Sequence, residues 1–228
     1  RGLSVHMNKW VSVKEKIVKN ILTIFALSSL LFLFLIFIFI LIEGLPLFLK
    51  VGLKNIIFGF KWAPTKGFFG IFPMIVSSFL VTFGALIIGA PLGLSCAIYL
   101  AEYSGKRLKM VLKPALELLA GIPSVVYGFL GVIYIVPIVR EYLGGSGFSL
   151  ISTSIVLGIM ILPTIISISF DSIMSVPSSY REGSYAMGAT KWQTIYKIVI
   201  PAARSGIIAS FILGMGRAIG ETMAVIMI

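Results

Sequence analysis

Residues 21–42 read ILTIFALSSLLFLFLIFIFILI, 22 positions without a charge. A helix needs about 20 apolar residues to cross the hydrocarbon core of a bilayer, so this run is one membrane span. It is too long for the core of a secretory signal, and no small-residue cleavage site follows it. Working outward, residues 68–101 carry no charge for 34 positions, interrupted by Pro73, Gly89, Pro91 and Gly93. That length predicts a short interfacial piece near 68–72, then a kinked or tilted span. A third span is expected over 118–139, broken near its start by Gly121-Ile122-Pro123. A fourth lies within 144–170 around Pro163, and a fifth over 205–228, interrupted by Arg217 and Glu221.

Composition agrees. The chain of 228 residues is 58% hydrophobic and 12% charged, with a mean hydropathy of +1.07. Soluble domains carry about 25% charged residues, so this chain lacks the polar surface to cover a water-soluble globule. The expected fold class is an all-α polytopic membrane protein. The net charge of +11 would suggest nucleic acid in a soluble chain, but lysine and arginine collect in the cytoplasmic loops of membrane proteins. With the N-terminus inside, segments 1–20, 102–117 and 171–204 hold 13 Lys and Arg. The outer loops 43–67 and 140–149 hold 5. The asymmetry predicts a cytoplasmic N-terminal tail over 1–20 ahead of a membrane domain over 21–228, with 171–204 as a cytoplasmic loop, although Lys50, Lys54, Lys61 and Lys66 run against the bias. Residues 1–6 read as extraneous sequence ahead of a natural start at Met7.

The chemistry of enzymes is poorly represented. Cys96 is the only cysteine, so neither an intrachain disulfide nor a zinc cluster can form. His6 lies outside every span and Asp171 is the only aspartate, which removes the bases and paired acids of intramembrane proteases. No G-x-x-x-x-G-K-[ST] loop is present, and no strand precedes Gly214 and Gly216, so neither ATP nor a dinucleotide is expected to bind here. No metal site or cofactor is expected.

Residues 171–204 form a loop of defined structure. Pro177 ends the preceding helix. Ser179 and Glu182 have the spacing of a capping box, and Thr190 and Gln193 repeat it. Gly188 suits a left-handed helix stop between them. Trp192, Ile195, Tyr196 and Val199 make one apolar stripe of a second helix expected to run to about Ile200, before Pro201. By periodicity alone an ordinary interfacial helix hairpin is the better reading.

Arg217 lies 12 residues past Ser205, roughly 18 Å along a helix at 1.5 Å per residue and so near mid-membrane. An arginine there costs at least about 2.5–3.5 kcal/mol. Glu221, four residues on, would share its face and offset part of that cost. Two readings stand. The pair lines an anion pathway, since a guanidinium matches phosphate oxygens. Otherwise it is a structural ion pair beside a Gly216-x-x-x-Gly220 packing motif. Ser124, Tyr127 and Thr222 carry hydroxyls that suit a passing oxyanion, and equally suit capping of freed backbone groups.

The segment REGSYAMGATKWQTIYKIVIPAA, 181–203, resembles the signature loop of binding-protein-dependent ABC importer permeases: Glu-Ala-Ala, three residues, Gly, nine residues, Ile-x-Leu-Pro. Glu182, Gly188, Ile198 and Pro201 match, while Gly183, Ser184 and Ile200 depart conservatively. GRAIGETMAV (216–225) and AGIPSVVYGFLG (120–131) resemble segments of the phosphate-specific (Pst) permeases, nearer the PstC than the PstA type. The resemblance implies a type I ABC importer transmembrane domain, five spans here against the six of the family, in a cell membrane. It implies that the loop couples to an ATP-binding subunit dimer, which binds the ATP. The other implied partners are a PstA-type permease subunit, an external phosphate-binding protein, and phosphate. The alternatives are a permease for sulfate or molybdate and an ion-gradient transporter.

Overall fold

The computed structural model describes residues 2–228, with side chains from Lys14 on. The reading of 1–6 as extraneous sequence lies outside the described side chains. The chain forms two compact units, 1–73 and 74–228.

In the first unit the uncharged run lies within one helix, α1 (Gly2–Val51), that continues unbroken through residue 20. At 1.5 Å per residue it is roughly 75 Å long, far more than the bilayer core requires. From Lys14 to Val51 none of its residues is buried, as lipid contact demands. A short α2 (Leu53–Phe58) follows. The interfacial piece turns out to be a small hairpin, β1 (Trp62–Ala63) and β2 (Phe68–Phe69), pairing Trp62 with Phe69 and Ala63 with Phe68. Gly67 closes its turn at φ 77°, where a side chain would be strained.

The second unit is built around α7 (Leu150–Met174), the most deeply buried span. It starts inside the stretch expected for the fourth span, after a turn in which Gly144, Gly145 and Gly147 all take positive φ, and runs past Phe170 to Met174. Against it pack α3 (Phe72–Ile98), α4 (Lys106–Ala120) and α11 (Arg204–Ile219). Bare helix faces permit this: a Cβ on Gly93 would lie 2.7 Å from Ile165, and one on Gly214 3.0 Å from it. Hydroxyl groups bond across the same seams. Ser169 and Ser210, both fully buried, meet at 2.8 Å, and Ser154 donates to the Val81 carbonyl at 3.4 Å. Such interhelical bonds contribute about 0.6 kcal/mol each on average.

The third span begins at α5 (Ser124–Leu130), not at 118, and continues through a π-helical turn, 131–135, into α6 (Val136–Leu143). Residues 118–120 belong instead to α4, an amphipathic helix that the charge count had hidden as loop. Leu112 and Leu116 turn inward, while Lys113 pairs with Asp171 of α7 at 2.7 Å. The hydrogen bond and charge of Asp171 raise the Lys113 amine above its ordinary value. The pair is exposed and contributes at most about 1 kcal/mol.

Pro201 does not end its helix. A π-helical turn, 195–199, precedes it, and the widened backbone accommodates the ring and its missing N–H. Pro137 follows the π turn at 131–135 in the same way. The chain breaks only at Ala203, where segments Lys191–Ala202 and Arg204–Ile219 bend by 69°. The expected fifth span also stops early, at Gly220, before a short α12 (Met223–Met227). Among the described residues, four helices are long and apolar enough to cross a membrane, or five if the bent pair is one span.

Gly128 of α5 brings two backbones together. A Cβ there would sit 2.9 Å from the Ala224 Cα of α12. Gly128→Val is expected to destabilise the fold by about 1–3 kcal/mol. A lowered Tm in detergent would show this, whereas an unchanged Tm would mean α12 moves aside at no cost.

Candidate functional site

The loop after α7 is two helices joined by a glycine stop. α8 (Ser178–Ala186) starts directly after Pro177, so Ser179 is already inside the helix and the Ser179–Glu182 capping box does not form. The second box does: Thr190 Oγ1 accepts from Gln193 N at 3.3 Å, and Gln193 Oε1 accepts from Thr190 N at 2.9 Å. It opens α9 (Lys191–Thr194), which runs on through the π turn into α10 (Ile200–Ala202). Gly188 has φ 80°. Its N–H donates to the Tyr185 carbonyl at 2.9 Å and the Ala189 N–H to the Ser184 carbonyl at 3.2 Å, the paired bonds of a Schellman stop.

Ser184 is buried and meets Thr194 at 2.9 Å, which fastens α8 to α9. This explains why the second alanine of the signature is replaceable by serine here: the position faces inward and a small hydroxyl finds a partner. Glu182 and Gly183 face outward. So does Met187, at 88% exposed. Between the helices lies an open groove of about 800 Å³, lined by Ser179, Tyr180, Met187, Gly188, Gln193 and Ile198. Ile200 and Pro201 lie beyond it, at the bend.

Arg217 occupies a second centre. It is half-buried on α11. Its Nη1 donates to Thr164 Oγ1 of α7 and its Nη2 to the Ala120 carbonyl, each at 3.0 Å. Ala120 is the last residue of α4, so the arginine faces the negative end of a helix whose final carbonyls have no partner in the helix itself. Tyr127 serves the neighbouring carbonyl, its hydroxyl donating to Leu119 O at 2.9 Å. Arg217 and Tyr127 thus converge on one helix end.

Glu221 does not join them. The ion pairs among the described residues are Lys113–Asp171 and Arg181–Glu102, and Arg217–Glu221 is not one. The four-residue rule holds only inside a helix, and α11 ends at Ile219. Past Gly220 the chain turns, and Glu221 Oε1 accepts from Ala224 N at 3.2 Å at the start of α12. Its side chain borders a cavity of about 420 Å³ with Ser77, Ser78, Thr82 and Thr153. Thr222 is exposed and makes no capping bond, and neither does the half-buried Ser124, the first residue of α5. Thr164 was not foreseen; a hydroxyl beside Pro163 in mid-span was the available signal.

Several apolar helices around a buried core define a multi-pass helical membrane domain. The comparisons make the family plain. Residues 89–228 match the family described as binding-protein-dependent transport system inner membrane component, and the chain belongs to that family. It is 47% identical over 196 residues to the probable ABC transporter permease protein YqgH of Bacillus subtilis, covering 84% of this chain and 63% of that one. It is 33% identical over 220 residues to the phosphate transport system permease protein PstC of Pasteurella multocida, covering 84% of this chain and 69% of that one. The PstC of Haemophilus influenzae is 33% identical over 221 residues, with 85% and 70% covered. Among solved structures, the inward-facing MetNI methionine ABC transporter matches in fold, with a TM-score of 0.51 at 21% identity over 66% of this chain and 68% of that one.

Proposed function

We propose that this chain is the permease subunit of an ATP-driven phosphate importer. One observation carries the reading: Arg217 is held by neutral oxygens, with no carboxylate among its described partners. Its charge is partly met by a helix dipole and by nothing stronger. A cation kept inside an apolar bundle in that state attracts an anion, and the N–H groups not spent on Thr164 and Ala120 remain to bind it. Ser124 would add a hydroxyl donor, and Tyr127 would turn its hydroxyl from the Leu119 carbonyl to the anion as it passes. Glu221, with Thr222 beside it, would form a separate station. Its carboxylate accepts the hydrogen of a protonated phosphate, which sulfate and molybdate lack at neutral pH.

The PstC names of several relatives support phosphate as the anion. The loop carrying Glu182, Gly188, Ile198 and Pro201 would dock on the ATP-binding subunit, whose closure rocks the spans in alternating access. A PstA-type second permease and an external phosphate-binding protein complete the assembly, and ATP binds to the partner dimer. The N-terminus and the loop then share the cytoplasmic side.

The test is uptake by the assembled complex in proteoliposomes. Phosphate should enter only with ATP and the ATP-binding subunit present, undiminished by excess sulfate or molybdate. Competition by those oxyanions would reassign the substrate. Uptake that persists without the ATP-binding subunit would favour an ion-gradient transporter instead.

A further inference from the structure

The helices α8 and α9 are gripped from inside by a turn far away in sequence. Arg181, one residue before the signature Glu182, points inward. Its Nε and Nη2 donate to one oxygen of Glu102 at 3.0 and 2.8 Å. Its Nη1 and Nη2 also reach the carbonyls of Val176 and Ile173 at 2.7 and 3.0 Å, past and within the end of α7. The pair is largely shielded, with side chains 19% and 7% exposed. Glu102 belongs to the π-helical turn 99–103 that closes α3. The very next residue, Tyr103, takes the Lys191 ammonium over its ring at 4.3 Å, and Lys191 is the first residue of α9. Each helix of the loop therefore holds one of two consecutive residues of a single turn, and Ser184–Thr194 locks the helices together.

We infer that Arg181 and Glu102 form the joint that carries loop movement into α3. This rests on the transport reading above. The covalent chain ties the loop only to α7 and to α10 and α11. Nothing covalent obliges α3 to follow. A planar guanidinium that spans Glu102, the Ile173 carbonyl of α7 and the Val176 carbonyl just past it makes the three elements one body. The turn it grips is π-helical, a form recurrent where helices adjust at functional sites. Arg181 is on this view a positioning residue: it touches neither substrate nor nucleotide. Outward-facing Glu182 remains for the partner subunit, so adjacent residues of opposite charge divide the work between the two sides of α8.

The experiment uses the assembled complex with Arg181→Met, the near-isosteric Glu102→Gln, and the exchanged pair Arg181→Glu with Glu102→Arg. Phosphate moved per ATP hydrolysed should fall about tenfold in each single variant and recover substantially in the exchanged pair. Spin labels at Met187→Cys and Leu92→Cys, in a Cys96→Ser background, should keep one separation with and without nucleotide. In Arg181→Met that separation should change on nucleotide binding. Should Arg181→Met fail to assemble, Glu102→Gln gives the same readings. An undisturbed ratio in Glu102→Gln, or labels that part in the otherwise unaltered complex, overturns the joint. A complex without ATP-linked uptake even before substitution sinks the transport reading and the joint with it; a coupled parent with coupled variants sinks the joint alone.

Discussion

Arg217→Ala should lower phosphate uptake by at least about a hundredfold while the complex still assembles. The size follows from what the side chain does. A charge-assisted hydrogen bond contributes about 1.5–3 kcal/mol, each 1.4 kcal/mol is a factor of ten, and a guanidinium fork offers an oxyanion more than one such bond. Substitution also frees Thr164 Oγ1 and the Ala120 carbonyl, so some stability is lost whatever the function. Two companions separate the effects. Thr164→Val removes the tether and leaves the charge, and should keep most of the uptake. Arg217→Lys keeps the charge without the fork and should fall between. The measurement is phosphate uptake at saturating binding protein, beside ATP hydrolysis in the same vesicles. Normal uptake in Arg217→Ala would leave the arginine as a cap on α4 and remove the anion path.

The parts legible in the sequence were those written locally. Uncharged runs marked the spans because lipid tolerates nothing else there. Gly188 and the Thr190–Gln193 box marked the ends of short helices because each satisfies its own neighbours. The illegible parts depend on distance. α4 was hidden because its lysines and Pro114 resemble a loop until Leu112 and Leu116 are seen packed in the core. Arg217 and Glu221 do not pair because α11 ends at Ile219, between them, and Gly220 was the local sign of that end. The Arg181–Glu102 pair joins residues 79 apart, and nothing in a single sequence links them. The two arginines also show why a charge in such a chain cannot be assigned from its type. Arg181 is matched by a shielded carboxylate, whereas the described partners of Arg217 are neutral oxygens.

Gly188→Pro should detach the loop from its ATP-binding partner, seen as loss of co-purification or at least a tenfold drop in stimulated ATP hydrolysis. The backbone at Gly188 sits at φ 80°, and proline is fixed near −65°. Proline also lacks the N–H that donates to the Tyr185 carbonyl. Together these cost about 3 kcal/mol or more, enough to break the Schellman stop and with it the placement of α8 against α9. Beyond the adjoining residues nothing lies within 4 Å of where a Cβ would stand, so a substitution acts through backbone conformation and not through a clash. That permits a graded series. Asparagine tolerates the left-handed region and should be nearly silent, alanine should cost about 1–2 kcal/mol, and proline should be severe. Coupling that falls in that order, with thermal stability of the spans little changed, ties the geometry of the stop to the docking surface. A proline variant that still binds and stimulates the partner would mean the groove between α8 and α9 is not where the subunits meet.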